Sequence, residues 1–218
     1  VGSGSGRFRY NSDESNINYT LPIDTGMYAI YREQPLISVV ANNDSKAYDK
    51  VAYSGDNGYT FDGFLNGDTS ASTSANLTGT ATVGGTAQGA INAGSYTFVP
   101  SSTNLSNQLG YGFNYVNGTL TINKATVTID ASNVSKIYDG SNMLTSFPYL
   151  NGVIAGDSVA LAGSGTFSQS NVGTGLSYTF NWQFSPNELT GAAAGNYQVN
   201  WGGRHDHVVT GTNGLITA

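Results

Sequence analysis

No cysteine occurs in the 218 residues, which excludes a disulfide framework and thiol chemistry. Charge is scarce too: Asp, Glu, Lys and Arg make up 10% of the chain, against about 25% in an average soluble domain. A helical bundle draws on Ala, Leu, Glu, Lys and Arg, so this poverty argues against an all-helical fold. Glutamate occurs only at positions 14, 33 and 188, and there are two histidines. No apolar run approaches the ~18–20 residues of a membrane span, so no membrane insertion is expected. The eight basic residues are outnumbered by 14 acidic ones, giving a net charge of −6. Nucleic acid is therefore excluded as an expected partner, because phosphate binding needs a basic face. No secretory signal pattern is present, and the opening Val1-Gly-Ser-Gly-Ser-Gly6 reads as a linker.

What is abundant is small and polar. Ser, Thr and Asn account for 70 residues and Gly for 29. Disorder is argued against by the 11% aromatic content, which includes 14 Tyr, and by the modest net charge. This composition belongs to a Gly- and Thr-rich all-β protein.

The chain repeats itself. Ser45-Lys-Ala-Tyr-Asp49 recurs as Ser135-Lys-Ile-Tyr-Asp139, and Phe64-Leu-Asn-Gly-Asp-Thr69 as Val153-Ile-Ala-Gly-Asp-Ser158. Asn92-Ala-Gly-Ser-Tyr96 pairs with Ala193-Ala-Gly-Asn-Tyr197, and Asn117-Gly-Thr-Leu-Thr-Ile122 loosely with Asn213-Gly-Leu-Ile-Thr217. Two homologous units follow, residues 36–124 and 125–218, with residues 1–35 standing apart as a leader segment. The growing offset between matches places an insertion in the second unit around residues 179–188. Ala125–Asp130 alternates with period 2, putting Val127 and Ile129 on one face. Leu36–Val40 and Thr119–Ile122 are further β runs, the latter following the turn pair Asn117-Gly118. Turn signals every 8–12 residues suggest two tandem small β-sandwiches of Ig-like type, with a β-grasp as the alternative. Only Gly191–Ala194 has helical character, and one turn at most.

The repeated residues also carry a resemblance. Lys136-Ile-Tyr-Asp-Gly140, Gly152–Asp157, Gly165-Thr-Phe167, Asn171–Thr174, Leu189–Ala192 and Ala194-Gly-Asn-Tyr197 resemble the YDG repeat of large secreted bacterial adhesins. Lys46–Asp49, Gly63–Asp68, Ala93–Tyr96 and Val116–Ile122 make the first unit similar to the related MBG repeat, departing from the second at Lys50, where the latter has Gly140. Gly4–Ser12 resembles the segment that precedes such repeats in filamentous-haemagglutinin-like exoproteins. The resemblance implies two-partner secretion from a Gram-negative cell, display at the outer surface, and adhesion as the biology of the whole protein. The expected partner is a host-cell or matrix glycan or protein, met by a monomeric stretch of a long exoprotein. A structural spacer is the rival expectation.

Residues shared by both units must satisfy the fold twice, so a ligand site is expected where the units differ. On that argument Gly140, Gly156, Gly195 and Gly214 are turn positions, and Tyr48 and Tyr138 plant rings in the core with hydroxyls bonded to backbone. Asp49, Asp68, Asp139 and Asp157 cap turns. The unit-specific candidates are Trp182 and Trp201 with Arg204, His205 and Asp206: an indole face stacks on a sugar ring and polar groups fix its hydroxyls. His205 and His207 would share a strand face, but a zinc site wants three or four ligands, so no metal is assigned. Asp44, Asp49, Asp56, Asp62 and Asp68 fall close together and make calcium the one cofactor to weigh, although no EF-hand pattern is present. Without a nucleophile elbow or paired carboxylates, the chain is expected not to be an enzyme and to have no cofactor.

Overall fold

The computed structural model describes residues 1–3, 5–12, 25–55, 57–70, 77–147, 149–182, 188–203 and 208–218. They form two compact units. Unit 1 comprises Val1–Ser45, Ala52–Ala90 and Ser95–Thr121; unit 2 comprises Lys46–Val51, Ile91–Gly94 and Ile122–Ala218.

Unit 1 is built from β1 (Phe8–Arg9), β2 (Ala29–Ile30), β3 (Leu36–Ala41), β4 (Asp44–Ala47), β5 (Tyr59–Asp62), β6 (Thr82–Gly85), β7 (Gly94–Ser101), β8 (Gly112–Val116) and β9 (Gly118–Asn123), except that Lys46 and Ala47 of β4, Gly94 of β7, and Ile122 and Asn123 of β9 fall in unit 2. One sheet has the order β5-β3-β8 and a second β4-β9-β7-β6, while β1 and β2 form a parallel pair. Strand β3 runs antiparallel to β5 and parallel to β8. Its alternation sends Ile37, Val39 and Ala41 inward, as a two-residue period on a half-buried strand requires. Phe8, Tyr10, Ile37, Leu109 and Tyr111 form one buried cluster of unit 1. Phe8 and Tyr10 come from the stretch expected to stand apart as a leader.

Unit 2 continues with β10 (Ala125–Ile129), β11 (Ser135–Ile137), β12 (Met143–Leu144), β13 (Leu150–Asn151), β14 (Ala160–Leu161), β15 (Gly163–Phe167), β16 (Gly173–Trp182), β17 (Leu189–Thr190), β18 (Tyr197–Asn200) and β19 (Val208–Thr217). Its sheets have the orders β13-β10-β18 and β11-β19-β16-β15-β12, beside a small β14-β17 pair. Strand β10 is antiparallel to β13 and parallel to β18, the same arrangement that β3 has in unit 1. The order β11-β19-β16-β15 likewise mirrors β4-β9-β7-β6, with β12 added at the edge. Both units therefore repeat one all-β, sandwich-like topology. The described residues hold no α-helix to support the β-grasp alternative; the helical turn foreseen near 191–194 is a 3-10 turn at Ala194–Asn196.

The core of unit 2 is an aromatic layer. Along β16, Leu176, Tyr178, Phe180 and Trp182 alternate inward and meet Phe147, Phe167, Leu161, Val209 and Ile216. Phe147 and Phe180 lie 5.3 Å apart and both are fully buried. Tyr178 pairs across the sheet with Gly211, and its ring occupies the space a side chain would need there: a Cβ on Gly211 would come within 2.4 Å of the Tyr178 oxygen. Gly214, expected as a turn residue, lies in β19, and a Cβ there would be 2.5 Å from the Phe167 ring. Gly195 does not have a positive φ either, whereas Gly140 and Gly156 take left-handed φ values of 78° and 81°.

Candidate functional site

The repeated Gly-Asp turn builds the same device in each unit. In unit 1 the Asp68 N–H donates to the Leu65 carbonyl at 3.0 Å, with Asn66 and Gly67 at positive φ. This closed turn aims the Asp68 carboxylate inward, where it accepts the Tyr111 hydroxyl at 2.9 Å, and the Leu65 N–H donates to the Tyr111 oxygen at 3.0 Å. In unit 2 the Asp157 N–H donates to the Ile154 carbonyl at 3.0 Å. The Tyr197 hydroxyl donates to the Asp157 carboxylate at 2.7 Å and accepts the Ile154 N–H at 3.0 Å. Tyr111, Tyr197 and Asp68 are all buried.

A second tyrosine ring sits on each of these seats. In unit 1 it is Tyr10, 4.6 Å from the Tyr111 ring, its hydroxyl accepting from the Asn66 amide at 2.8 Å. In unit 2 it is Tyr48, edge-on to Tyr197 at 5.5 Å, its hydroxyl donating to Asp157 at 2.9 Å. The Lys50 ammonium pairs with the other Asp157 oxygen at 2.9 Å. The hydrogen bonds from Lys50 and Tyr197 hold the Asp157 carboxyl below the usual carboxylate range. Burial, then the Asp157 partner, pushes the Tyr197 hydroxyl up to about 12.

The Ser-Lys-x-Tyr-Asp motif makes a stapled tip. Lys46 pairs with Asp49 at 2.6 Å and donates to the Val51 carbonyl at 2.9 Å, while the Val51 N–H donates back to Asp49 at 2.9 Å. Lys136 pairs with Asp139 at 2.7 Å and donates to the Ser141 carbonyl at 2.7 Å, and the Ser141 N–H donates to Asp139 at 2.9 Å. The two tips are built alike, yet Tyr48 is 5% exposed and Tyr138 is 49% exposed. The expectation of a core ring therefore fails at Tyr138. At Tyr48 the ring is buried, but its hydroxyl bonds a carboxylate, not backbone.

The repeat register also needs one correction. Tyr197 is the counterpart of Tyr111, not of Tyr96, because Tyr111 and Tyr197 make the same bonds to the Gly-Asp turn. Tyr96 lies in β7, which corresponds to β16. Tyr197 follows Tyr111 by 86 residues, whereas Thr217 follows Asn123 by 94. Unit 2 is thus longer in sequence between its seat tyrosine Tyr197 and Thr217, and β18 ends at Asn200 while β19 begins at Val208. The offset is 89 at Asp68/Asp157 and 86 at Tyr111/Tyr197, so the growing offset that placed an insertion around 179–188 does not survive the corrected register.

Of the residues expected to bind a ligand, Trp182 ends β16 and is buried at 6% exposure. Trp201 is half-buried and stacks on it, ring centres 4.6 Å apart and 13° from parallel, at the edge of the unit 2 core. One face of the Trp201 indole is thereby taken by Trp182. Arg204, His205 and Asp206 lie outside the described residues, as does Asp56. The other four aspartates of the calcium expectation are engaged separately. Asp44 accepts from the Tyr53 hydroxyl at 2.6 Å, Asp49 pairs with Lys46, Asp62 accepts the Gly63 N–H at 2.8 Å, and Asp68 accepts from Tyr111. Among the described residues no three His, Cys, Asp or Glu side chains gather as a metal site.

The comparisons with known proteins bear on both units. The MBG domain (YGX type) family model matches residues 37–121, and the YDG domain model matches residues 122–203. No curated protein and no solved structure matches the chain. Together the two matches span residues 37–203, the MBG-type match preceding the YDG match.

Proposed function

We infer that this chain is a non-enzymatic, extracellular part of a bacterial surface adhesin, in which its repeats act as a structural spacer. The observation that carries the reading is the commitment of the shared motif. In both units the Gly-Asp turn and its tyrosine are spent on an internal hydrogen-bond lock, and Lys46 and Lys136 each staple their own tip. Polar groups already satisfied by one another offer little to a ligand, since recruiting them would break an existing buried bond. Secretion from a Gram-negative cell belongs to this proposal and is supported by the two domain types.

A second reading has one observation in its favour. Trp201 is only half-buried and lies just after β18, where the sequence of unit 2 is longer than that of unit 1, so attachment to a glycan at Trp201 is the alternative role. Binding of the purified chain to host cells and to a glycan array separates the two. The spacer reading expects no saturable binding. Saturable binding that Trp201→Ala abolishes, with the fold retained, overturns it in favour of a glycan site at Trp201.

A further inference from the structure

We propose that the tip around Tyr138 is a docking knob for another repeat of the same kind, whose Gly-Asp turn and seat tyrosine receive the Tyr138 ring as Asp157 and Tyr197 receive Tyr48. The partner is defined by chemistry: a turn presenting a buried carboxylate beside a tyrosine hydroxyl, with an aromatic face for the incoming ring.

Three observations converge. First, the Tyr138 tip reproduces the Tyr48 tip bond for bond. Each has the Lys–Asp pair, the lysine bond to the carbonyl five residues on, and the return bond from an amide to Asp. The left-handed residue follows in both, Lys50 at φ 65° and Gly140 at φ 78°. The tip is also anchored identically, the Tyr48 N–H donating to the Asn123 carbonyl at 2.8 Å and the Tyr138 N–H to the Thr217 carbonyl at 2.8 Å. Second, a buried tyrosine ring lies against the seat tyrosine in each unit, Tyr48 at 5% exposure with its hydroxyl on the Asp157 carboxylate, and Tyr10 at 2% with its hydroxyl on the Asn66 amide. Third, the Tyr138 ring is exposed where the Tyr48 ring is buried, and it has exposed apolar neighbours. Ile137 is 73% exposed, Tyr138 49% and Met143 47%, a cluster of large apolar side chains that solvent does not favour.

One difference sets the strength. Lys50 pairs with the seat carboxylate at 2.9 Å, and Gly140 cannot supply that ammonium. Docking at Tyr138 therefore rests on the ring and its hydroxyl. The inference concerns repeat-to-repeat contact alone and stands whether or not the chain binds a glycan.

The anchor equivalence dictates the test. Thr217 matches Asn123, so Ala218 matches Lys124, and a second copy of Ala125–Ala218 is joined directly after Ala218. The added copy carries Tyr138→Phe so that a single Tyr138 is read. Tyrosine nitration with peptide mapping then compares the extended polypeptide with the original chain. In the original, Tyr138 is expected to react readily and Tyr48 slowly. In the extended one, Tyr138 is expected to be protected about tenfold, as when the undocked state is a minor one of about 10%. Asp157→Asn in the added copy should return Tyr138 to its original rate while that copy still melts cooperatively. Unchanged nitration of Tyr138 beside a folded added copy overturns the proposal, as does protection that survives Asp157→Asn.

Discussion

Replacing Tyr111 by Phe removes one oxygen from the centre of unit 1 and leaves the ring in place. The contacts to Tyr10 at 4.6 Å and Phe64 at 6.1 Å are ring contacts and persist. What disappears is the bond to the Asp68 carboxylate at 2.9 Å and the acceptor for the Leu65 N–H at 3.0 Å. A hydrogen bond to a charged group contributes about 1.5–3 kcal/mol, and a buried group left without its partner costs about 1–3 kcal/mol. A loss of about 3 kcal/mol is expected. For a unit of roughly 110 residues at about 4 °C per kcal/mol, the melting midpoint of unit 1 should fall by about 12 °C. Calorimetry measures the shift, and hydrogen exchange at the core strand Leu36–Ala41 assigns it to unit 1. A fall of less than about 2 °C, which is under about 0.5 kcal/mol, would refute the reasoning by showing that the hydroxyl is replaced without cost. An alkaline series adds an independent check. Burial above all raises the Tyr111 hydroxyl well above its ordinary value near 10. A group raised on folding contributes its stability below the unfolded value and loses it as pH climbs towards the folded one. Wild-type stability should therefore begin to fall above about pH 10, and the gap to Tyr111→Phe should narrow. A gap that stays constant through that range would contradict a protonated, buried Tyr111.

Four further outcomes follow from named contacts. Asp49, Asp139 and Asp157 are lowered, the first two chiefly by Lys46 and Lys136 and the third by Lys50. Their contribution is present above the ordinary Asp value near 3.9 and lost as pH drops through the folded value, so the urea midpoint of unit 2 should decline below about pH 4 and stay flat from there towards about pH 9, short of the tyrosine range near 10. Gly211→Ala forces a Cβ into the Tyr178 ring and should cost unit 2 about 1–3 kcal/mol by overpacking; an unchanged urea midpoint would mean that the ring yields freely. Trp201→Ala removes the stack on Trp182, about 0.5–1.5 kcal/mol beyond the lost area, and should abolish the exciton couplet in far-UV circular dichroism; a persisting couplet would refute the stack. Calcium and chelator should leave both melting midpoints unchanged, because Asp44, Asp49, Asp62 and Asp68 are engaged with separate partners; a rise with calcium would show a ligand set that binds the folded state.

Composition and short-range pattern determined a great deal of this protein. Scarce charge, abundant Thr and Gly, and period-2 runs such as Ala125–Asp130 specify strands, because alternation is a property of neighbouring residues. The Ser-Lys-x-Tyr-Asp tips were likewise local, since the Lys–Asp pairs and the turn bonds that the two share span five residues or fewer. Tertiary structure alone decided what each tip meets. Tyr48 and Tyr138 have nearly the same local sequence, yet one ring is buried and the other half exposed. Burial is set by segments far along the chain: Asp157 stands 109 residues from Tyr48. The seat tyrosines escaped the repeat comparison for a related reason. Tyr111 and Tyr197 are equivalent by the carboxylate and amide they bond, but loops of unequal length shift their spacing, and Tyr96 offered a closer match in letters alone. The two tryptophans show the same division. Alternation along β16 placed Trp182 on the core face, while its stacking with Trp201, nineteen residues later, required β16 and the end of β18 to be brought together by the fold.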